Sequence, residues 1–321
     1  MNMLIVAKHL LLIFYIILVS SMISHTSAQP WSEGADMPTA RSDIGVTNIQ
    51  DDIYIIGGLD RFGDPMDVVE VYNVKNNSWR SISSLPQPLH HPAAASYDGK
   101  IYVVGGFISR EWIPTNQLLV YDPIKNKWSE GKPMPTARGA LNALFVNGIL
   151  YAIGGQGTRV LDTNEAYDPV TESWVTNARM PTARHHAASV TVDNKIYVIG
   201  GRTSIFSAAE NVNLNEVYNT ETEKWTAVKS MPSERSGVWA AAMNNSFFVF
   251  GGEDLTTIYG NNEEYDTLMD TWSSREPMPT PRHGLGAATV DNKIFVIGGG
   301  PEPGLGISDD NEIYTTGAKE K

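Results

Sequence analysis

Five histidines lie beyond residue 28, as the pairs His90-His91 and His185-His186 and the single His283. Imidazole is a common ligand for zinc and copper, and sites with three protein ligands leave a position open for water. The first histidine of each group stands directly after residue 89, 184 or 282, and two of those residues are Arg184 and Arg282. The corresponding places elsewhere in the chain are Ser42, Gly139 and Ser236. His90, His185 and His283 therefore recur at one register of a longer pattern, and they are the expected metal ligands if that pattern brings them to a common axis. The competing expectation is polar residues at a wet channel mouth, hydrogen-bonded to neighbouring loops. No short metal motif is present, because the spacing runs between distant segments.

A second chemistry-bearing pattern is a column of arginines: Arg41, Arg138, Arg184, Arg235 and Arg282. It is matched by glutamates at Glu70, Glu165, Glu216, Glu263 and Glu312. One segment lacks both, carrying Leu89 and Leu119 instead. Joint replacement is what a buried ion pair predicts. Removing one partner costs roughly 3–5 kcal/mol, whereas an apolar pair of similar volume is close to neutral. The arginines are accordingly expected to be structural, paired to these glutamates. The alternative is a ring of cations gripping an anionic ligand.

Variable segments supply the remaining candidates. Arg61, Phe62, Phe107, Arg110, Trp112, Arg159, Arg202, Phe206 and Tyr259 all fall in stretches of changing length and composition. Arginine and large aromatic side chains are the usual anchors of recognition surfaces, and rigid scaffolds carry function on loops. These residues are the expected contacts for a protein or glycan partner. Trp239 stands where the other segments carry Gly45, Ala93, Asn142, Ala188 and Gly286, and is expected to plug a central channel.

The elements that position these residues are visible as a repeat. Paired glycines occur at 57–58, 105–106, 154–155, 200–201, 251–252 and 298–299, in steps of 48, 49, 46, 51 and 47 residues. Each pair follows an apolar, β-branched or aromatic run such as KIYVVGG or SFFVFGG, which predicts a buried strand. Tyr72, Tyr121, Tyr167, Tyr218, Tyr265 and Tyr314 follow the variable segments, and Trp79, Trp128, Trp174, Trp225 and Trp272 stand seven residues beyond the first five. The sixth tyrosine has no such partner, but Trp31 occupies the matching place at the other end of the chain. An N-terminal strand around Trp31 is therefore expected to complete the last sheet and close a ring, which removes exposed strand edges.

The six double glycines with tyrosine and tryptophan in register resemble the kelch family of β-propellers over residues 30 to about 316. The resemblance implies an all-β, six-bladed propeller of four-stranded blades around a channel, with the aromatics wedged between blades. In such a ring the loops after the glycines and the histidine-bearing connections share one face. The family's known functions are mostly protein binding, with some sugar-acting and copper-oxidase members. The resemblance to the oxidases fails on chemistry, since their cysteine–tyrosine cross-link needs a cysteine and this chain has none.

Composition narrows function further. The chain has 321 residues, 24 Lys and Arg against 36 Asp and Glu, and a net charge of −12. That balance disfavours general nucleic-acid binding. The absence of cysteine excludes disulfides, thiolate zinc sites and cysteine nucleophiles. No Gly-x-Ser-x-Gly elbow, phosphate-binding loop or His-Glu-x-x-His motif occurs. Residues 1–28 read as a signal peptide, with Lys8, the apolar run Leu10 to Val19 and small residues Thr26 to Ala28 before Gln29. An uncleaved N-terminal anchor is the alternative reading of that stretch. The domain organisation expected is thus a leader over 1–28 and one propeller over 29–321, secreted or otherwise outside the cytoplasm. It has no further membrane span and is expected to be a monomer. The expected function is a non-enzymatic binding propeller without a cofactor. The alternatives are a mutarotase-like enzyme on a carbohydrate, or a metal site at the histidines.

Overall fold

The computed structural model describes residues 29–205 and 210–316. From Trp31 onward the described residues form six four-stranded antiparallel sheets. The first contains β2 (Gly45–Ile49), β3 (Asp52–Ile56), β4 (Val69–Asn73) and β5 (Ser78–Ser81), paired in that order from the axis outward. The innermost strands of the next four are β6 (Ala93–Tyr97), β10 (Asn142–Val146), β14 (Ala188–Val192) and β18 (Trp239–Met243). The last sheet has β22 (Gly286–Val290), β23 (Lys293–Ile297), β24 (Asn311–Thr315) and, outermost, β1 (Trp31–Glu33). The protein is thus an all-β propeller of six blades, and β1, the first strand among the described residues, completes the last blade. Trp31 pairs with Tyr314 in that closing ladder. Among the described residues no helix is long and apolar enough to cross a membrane.

Burial is divided among six clusters, and each draws on two adjacent blades. The core therefore lies between blades, which explains why the second strands are apolar on both faces: Ile53, Tyr54, Ile55 and Ile56 are all buried. The repeat tryptophans lock neighbours together. Trp79, Trp128, Trp174, Trp225 and Trp272 each donate their indole N–H to a carbonyl of the preceding blade, at 2.7–2.9 Å. Trp31 does the same to Glu276 at 3.0 Å, so closure reproduces the bond used at every other junction.

The double glycines turn the chain over the blade edge. Gly57 and Gly58 have φ of 59° and 114°. A β-carbon at these places would stand 2.5 Å from the Leu89 carbonyl and 2.6 Å from the Ser42 carbonyl. Only glycine combines that backbone with that approach.

The arginine column lies inside the blades. Arg41 Nη1 is 2.5 Å from Glu70 Oε2, and Arg138–Glu165, Arg235–Glu263 and Arg282–Glu312 lie at 2.6, 2.6 and 2.7 Å. Arg184 pairs with Glu216 in the same way. All five arginine side chains are fully buried, and each also donates to strand carbonyls, such as Arg41 to Gly57 and Ile55. Each of these cations is thus paired inside its own blade, although the buried Nε atoms of Arg138 and Arg184 have no partner. In the second blade Leu89 and Leu119 are buried in one shared cluster.

Candidate functional site

One residue past each histidine register the chain takes a left-handed turn at the axis. Asp43, His91, Ala140, His186, Gly237 and Gly284 have φ between 50° and 66°. Their backbones form a closed hydrogen-bonded collar. Asp43 N–H donates to Gly284 O, Gly284 to Gly237, Gly237 to His186, His186 to Ala140, Ala140 to His91 and His91 to Asp43, at 2.7–3.2 Å. Below the collar the innermost strands enclose an axial cavity of about 380 Å³, lined by alanines of β6, β18 and β22 together with larger residues such as Leu144, Phe145 and Val190. Trp239 lines this cavity and packs against the clusters of the neighbouring blades without filling it. The expected plug is thus a wall: residues with small side chains on the facing strands leave the space open.

The collar corrects the metal expectation. His90, His185 and His283 do not meet. They are buried within their own blades, and their Nε2 atoms lie 3.0, 2.9 and 3.0 Å from the carbonyls of Ser109, Ser204 and Glu302, each 19 residues downstream. The side chains reaching the axis are the next in sequence. His91 Nε2 lies 2.9 Å from Asp43 Oδ1 and 3.0 Å from His186 Nε2. These three ligand atoms fall within 4.8 Å of one another, and all three residues line the axial cavity. Gly284 keeps the place open, since a β-carbon there would sit 2.6 Å from Asp43 Oδ1.

The surroundings of this cluster are defined. Asp43 Oδ2 accepts the Ser42 hydroxyl at 3.0 Å. Trp112, itself at φ 58°, covers the histidines with ring centroids 4.7 Å from His91 and 6.0 Å from His186. Arg202 Nη2 lies 3.0 Å from His186 Nε2, and Nη1 lies 3.3 Å from Glu253 Oε1. Burial pushes His90 down to about 4, with His91 adding to the effect. Burial and the Arg202 charge push His185 down to about 3 and His186 well below the ordinary histidine value. For Asp43, burial favours the neutral acid. The attraction of His91 and His283, with hydrogen bonds from His91 and Ser42, outweighs burial and holds the carboxyl well below the usual range.

The loop candidates separate into three groups. Phe107 is fully buried and stacks on His90 at 5.1 Å, so it is core and no partner contact; its place next to the collar strand leaves it no route to solvent. Arg202 is directed inward to His186 and Glu253, whereas Tyr259 is half-buried and donates its hydroxyl to Asp254 in its own loop at 2.6 Å. Arg61, Phe62, Arg110 and Arg159 are exposed, with the Arg61 guanidinium 4.6 Å above the Phe62 ring. Phe206 lies outside the described residues, as do residues 1–28, the stretch expected to be a leader. Sequence reasoning missed Asp43, His91 and His186 as the axial set. The available signal was that Asp43, His91 and His186 share one register, directly after the first-position column.

A family model of the calicin β-propeller domain matches residues 49–239, and one of the KLHDC2/KLHL20/DRC7 kelch-repeats domain matches residues 175–316. The chain belongs to the kelch-repeat β-propeller family. Beta-scruin of Limulus polyphemus is 35% identical over 130 residues, covering 39% of this chain and 14% of that protein. Kelch-like protein 23 of Homo sapiens is 27% identical over 228 residues, covering 69% of this chain and 39% of its own length. The matched segments thus span only a minor part of these relatives. The solved structure of YjhT superposes with a TM-score of 0.78 over 90% of this chain and 99% of its own, at 17% identity, a likeness of fold.

Proposed function

We propose that this chain is an exported, non-enzymatic binding propeller that takes a protein partner on its loop face, over blades six, one and two. The observation that carries this reading is an apolar rim held rigidly in place. Phe62, Ile113 and Leu305 are 57%, 50% and 52% exposed. Leu305 lies over Gly63, beside Phe62, where a β-carbon would touch it at 3.4 Å. Arg110 forms a two-point ion pair with Asp64, one contact at 2.5 Å, tying the second loop to the first. An apolar group flanked by Arg61 and Arg110 has the composition of an interface centre, and its loops need little ordering on binding. Membership of the kelch family supports a protein partner, and the signal-peptide pattern of residues 1–28 supports export.

The test is cross-linked capture from the extracellular milieu of the source cells, using the protein secreted with its own leader. The reading expects secreted protein that begins at Gln29. It also expects a captured partner whose affinity falls at least about tenfold in Phe62→Ala/Leu305→Ala. Ile124 and Val170, on the outer turns of the opposite face, are 98% and 88% exposed and serve as controls. A partner lost on Ile124→Ala/Val170→Ala and retained by the loop-face variant overturns the proposal.

A further inference from the structure

The histidines around the axis form a continuous chain whose hydrogen count does not close. Its contacts run from Ser109 O to His90 Nε2 (3.0 Å), His90 Nδ1 to His91 Nδ1 (2.7 Å) and His91 Nε2 to His186 Nε2 (3.0 Å). They continue from His186 Nδ1 to His185 Nδ1 (2.5 Å) and from His185 Nε2 to Ser204 O (2.9 Å). A carbonyl only accepts, so His90 and His185 carry their hydrogens on Nε2. Their Nδ1 atoms then accept, and His91 and His186 must donate from Nδ1. Four neutral rings thereby spend four hydrogens on four contacts. At the fifth contact, in the middle, two Nε2 lone pairs face each other; Arg202 Nη2 donates to His186 Nε2 at 3.0 Å, so the electron pairs left without a donor are those of His91 Nε2 and Asp43 Oδ1, 2.9 Å apart. These two converging electron pairs need a proton or a metal ion between them.

We propose that Asp43 Oδ1, His91 Nε2 and His186 Nε2 are the protein ligands of a divalent transition metal of the zinc type. His90 and His185 act as positioning residues that fix the ligand tautomers. This inference stands independently of the partner-binding reading. A proton on His91 would satisfy the same electron pairs, but two features favour a metal. Both ligand imidazoles have their second nitrogen held by an acceptor, which is the usual support of a metal-bound histidine. That support is built twice, in blades two and four, whereas a single shared proton requires no such duplication. A tetrahedral metal with ligand distances of about 2.0–2.1 Å holds its ligands about 3.3–3.4 Å apart, so loading spreads the 2.9 and 3.0 Å contacts by a few tenths of an ångström. The 380 Å³ cavity beside the ligands supplies room for water at the remaining coordination positions. One change accompanies loading: Arg202 releases His186 Nε2 and keeps Glu253, its other partner.

The experiment uses tag-free, chelator-stripped protein titrated with Zn²⁺, and with Co²⁺ for its visible ligand-field bands. The expected result is one metal per chain, with cobalt bands characteristic of nitrogen and oxygen ligation. Asp43→Asn and His186→Ala should lose that stoichiometry, and His90→Ala should weaken affinity by about 10- to 100-fold while leaving one site. His283→Ala, which removes a collar neighbour outside the ligand set, should retain one metal. Circular dichroism checks each variant, and the near-isosteric Asp43→Asn keeps the test valid if a histidine variant fails to fold. Wild-type protein that binds no metal overturns the proposal. So does a stoichiometry unchanged by Asp43→Asn and His186→Ala.

Discussion

The Leu89–Leu119 pair of the second blade predicts the outcome of an exchange in the third. Arg138 is fully buried, and its Nη1 lies 2.6 Å from Glu165 Oε2 and 2.9 Å from Thr136 O, with Nη2 2.9 Å from Ala152 O. Burial lowers the Arg138 pKa, and Glu165 offsets that in part. Glu165→Leu strands the guanidinium and should cost about 3–5 kcal/mol, and Arg138→Leu strands the carboxylate at similar cost. The double change removes both charges. It forfeits partners for the Thr136 hydroxyl and for the Thr136 and Ala152 carbonyls, at about 1–3 kcal/mol each, and gains about 1.5–3 kcal/mol for each leucine it buries. These terms nearly cancel, so the double variant should lie within about 2 kcal/mol of the parent, with a coupling energy well above 2 kcal/mol. At about 2–4 °C per kcal/mol for domains somewhat smaller than this one, each single change should lower the melting temperature by about 6–20 °C. The double should recover most of that. Calorimetry at pH 7, with urea unfolding alongside, reads both. A double variant that has lost the sum of the two single effects would falsify the pairing argument, because it would show the residues acting independently.

Two further outcomes follow from the same geometry. Trp31 donates to Glu276, packs on Tyr314 with centroids 5.0 Å apart and is half-buried. Trp31→Ala should therefore cost about 2–3 kcal/mol, less than the ~3–5 of a fully buried aromatic, and it should increase aggregation as the β24 edge is exposed. An unchanged urea midpoint would argue against closure by β1. Stability in chelator should also fall on mild acidification. His90 and His185 titrate near 4 and 3 in the folded chain and near 6.5 when unfolded. The unfolded state thus binds more protons below about pH 6.5. The stabilisation is complete above that value and drains away as pH falls towards 4 and then 3. At pH 5 the loss should be roughly 2 kcal/mol for each histidine. A urea midpoint constant between pH 7 and 5, or a drop unaltered in His90→Asn/His185→Asn, would contradict this.

Much of the molecule was legible in the order of its residues, because each blade is a local unit. The glycine pairs, the Tyr–Trp spacing and the displaced Trp31 define six blades and their closure, since an aromatic wedge and a glycine turn are demanded at the same point of every repeat. The arginine–glutamate pairing could be read from a correlated exception at Leu89 and Leu119. Tertiary structure alone decided what faces the axis. A single left-handed residue rotates the chain so that His91 and His186 look inward while His90 and His185 are held by their own blades, and a shift of one position exchanges those roles. Asp43 joins them from a repeat with no histidine; it shares their register, but register alone does not say that three of the six side chains at that place converge. Whether Trp239 fills or lines the channel likewise depended on the volume left by five other strands, a quantity set only when the ring closes.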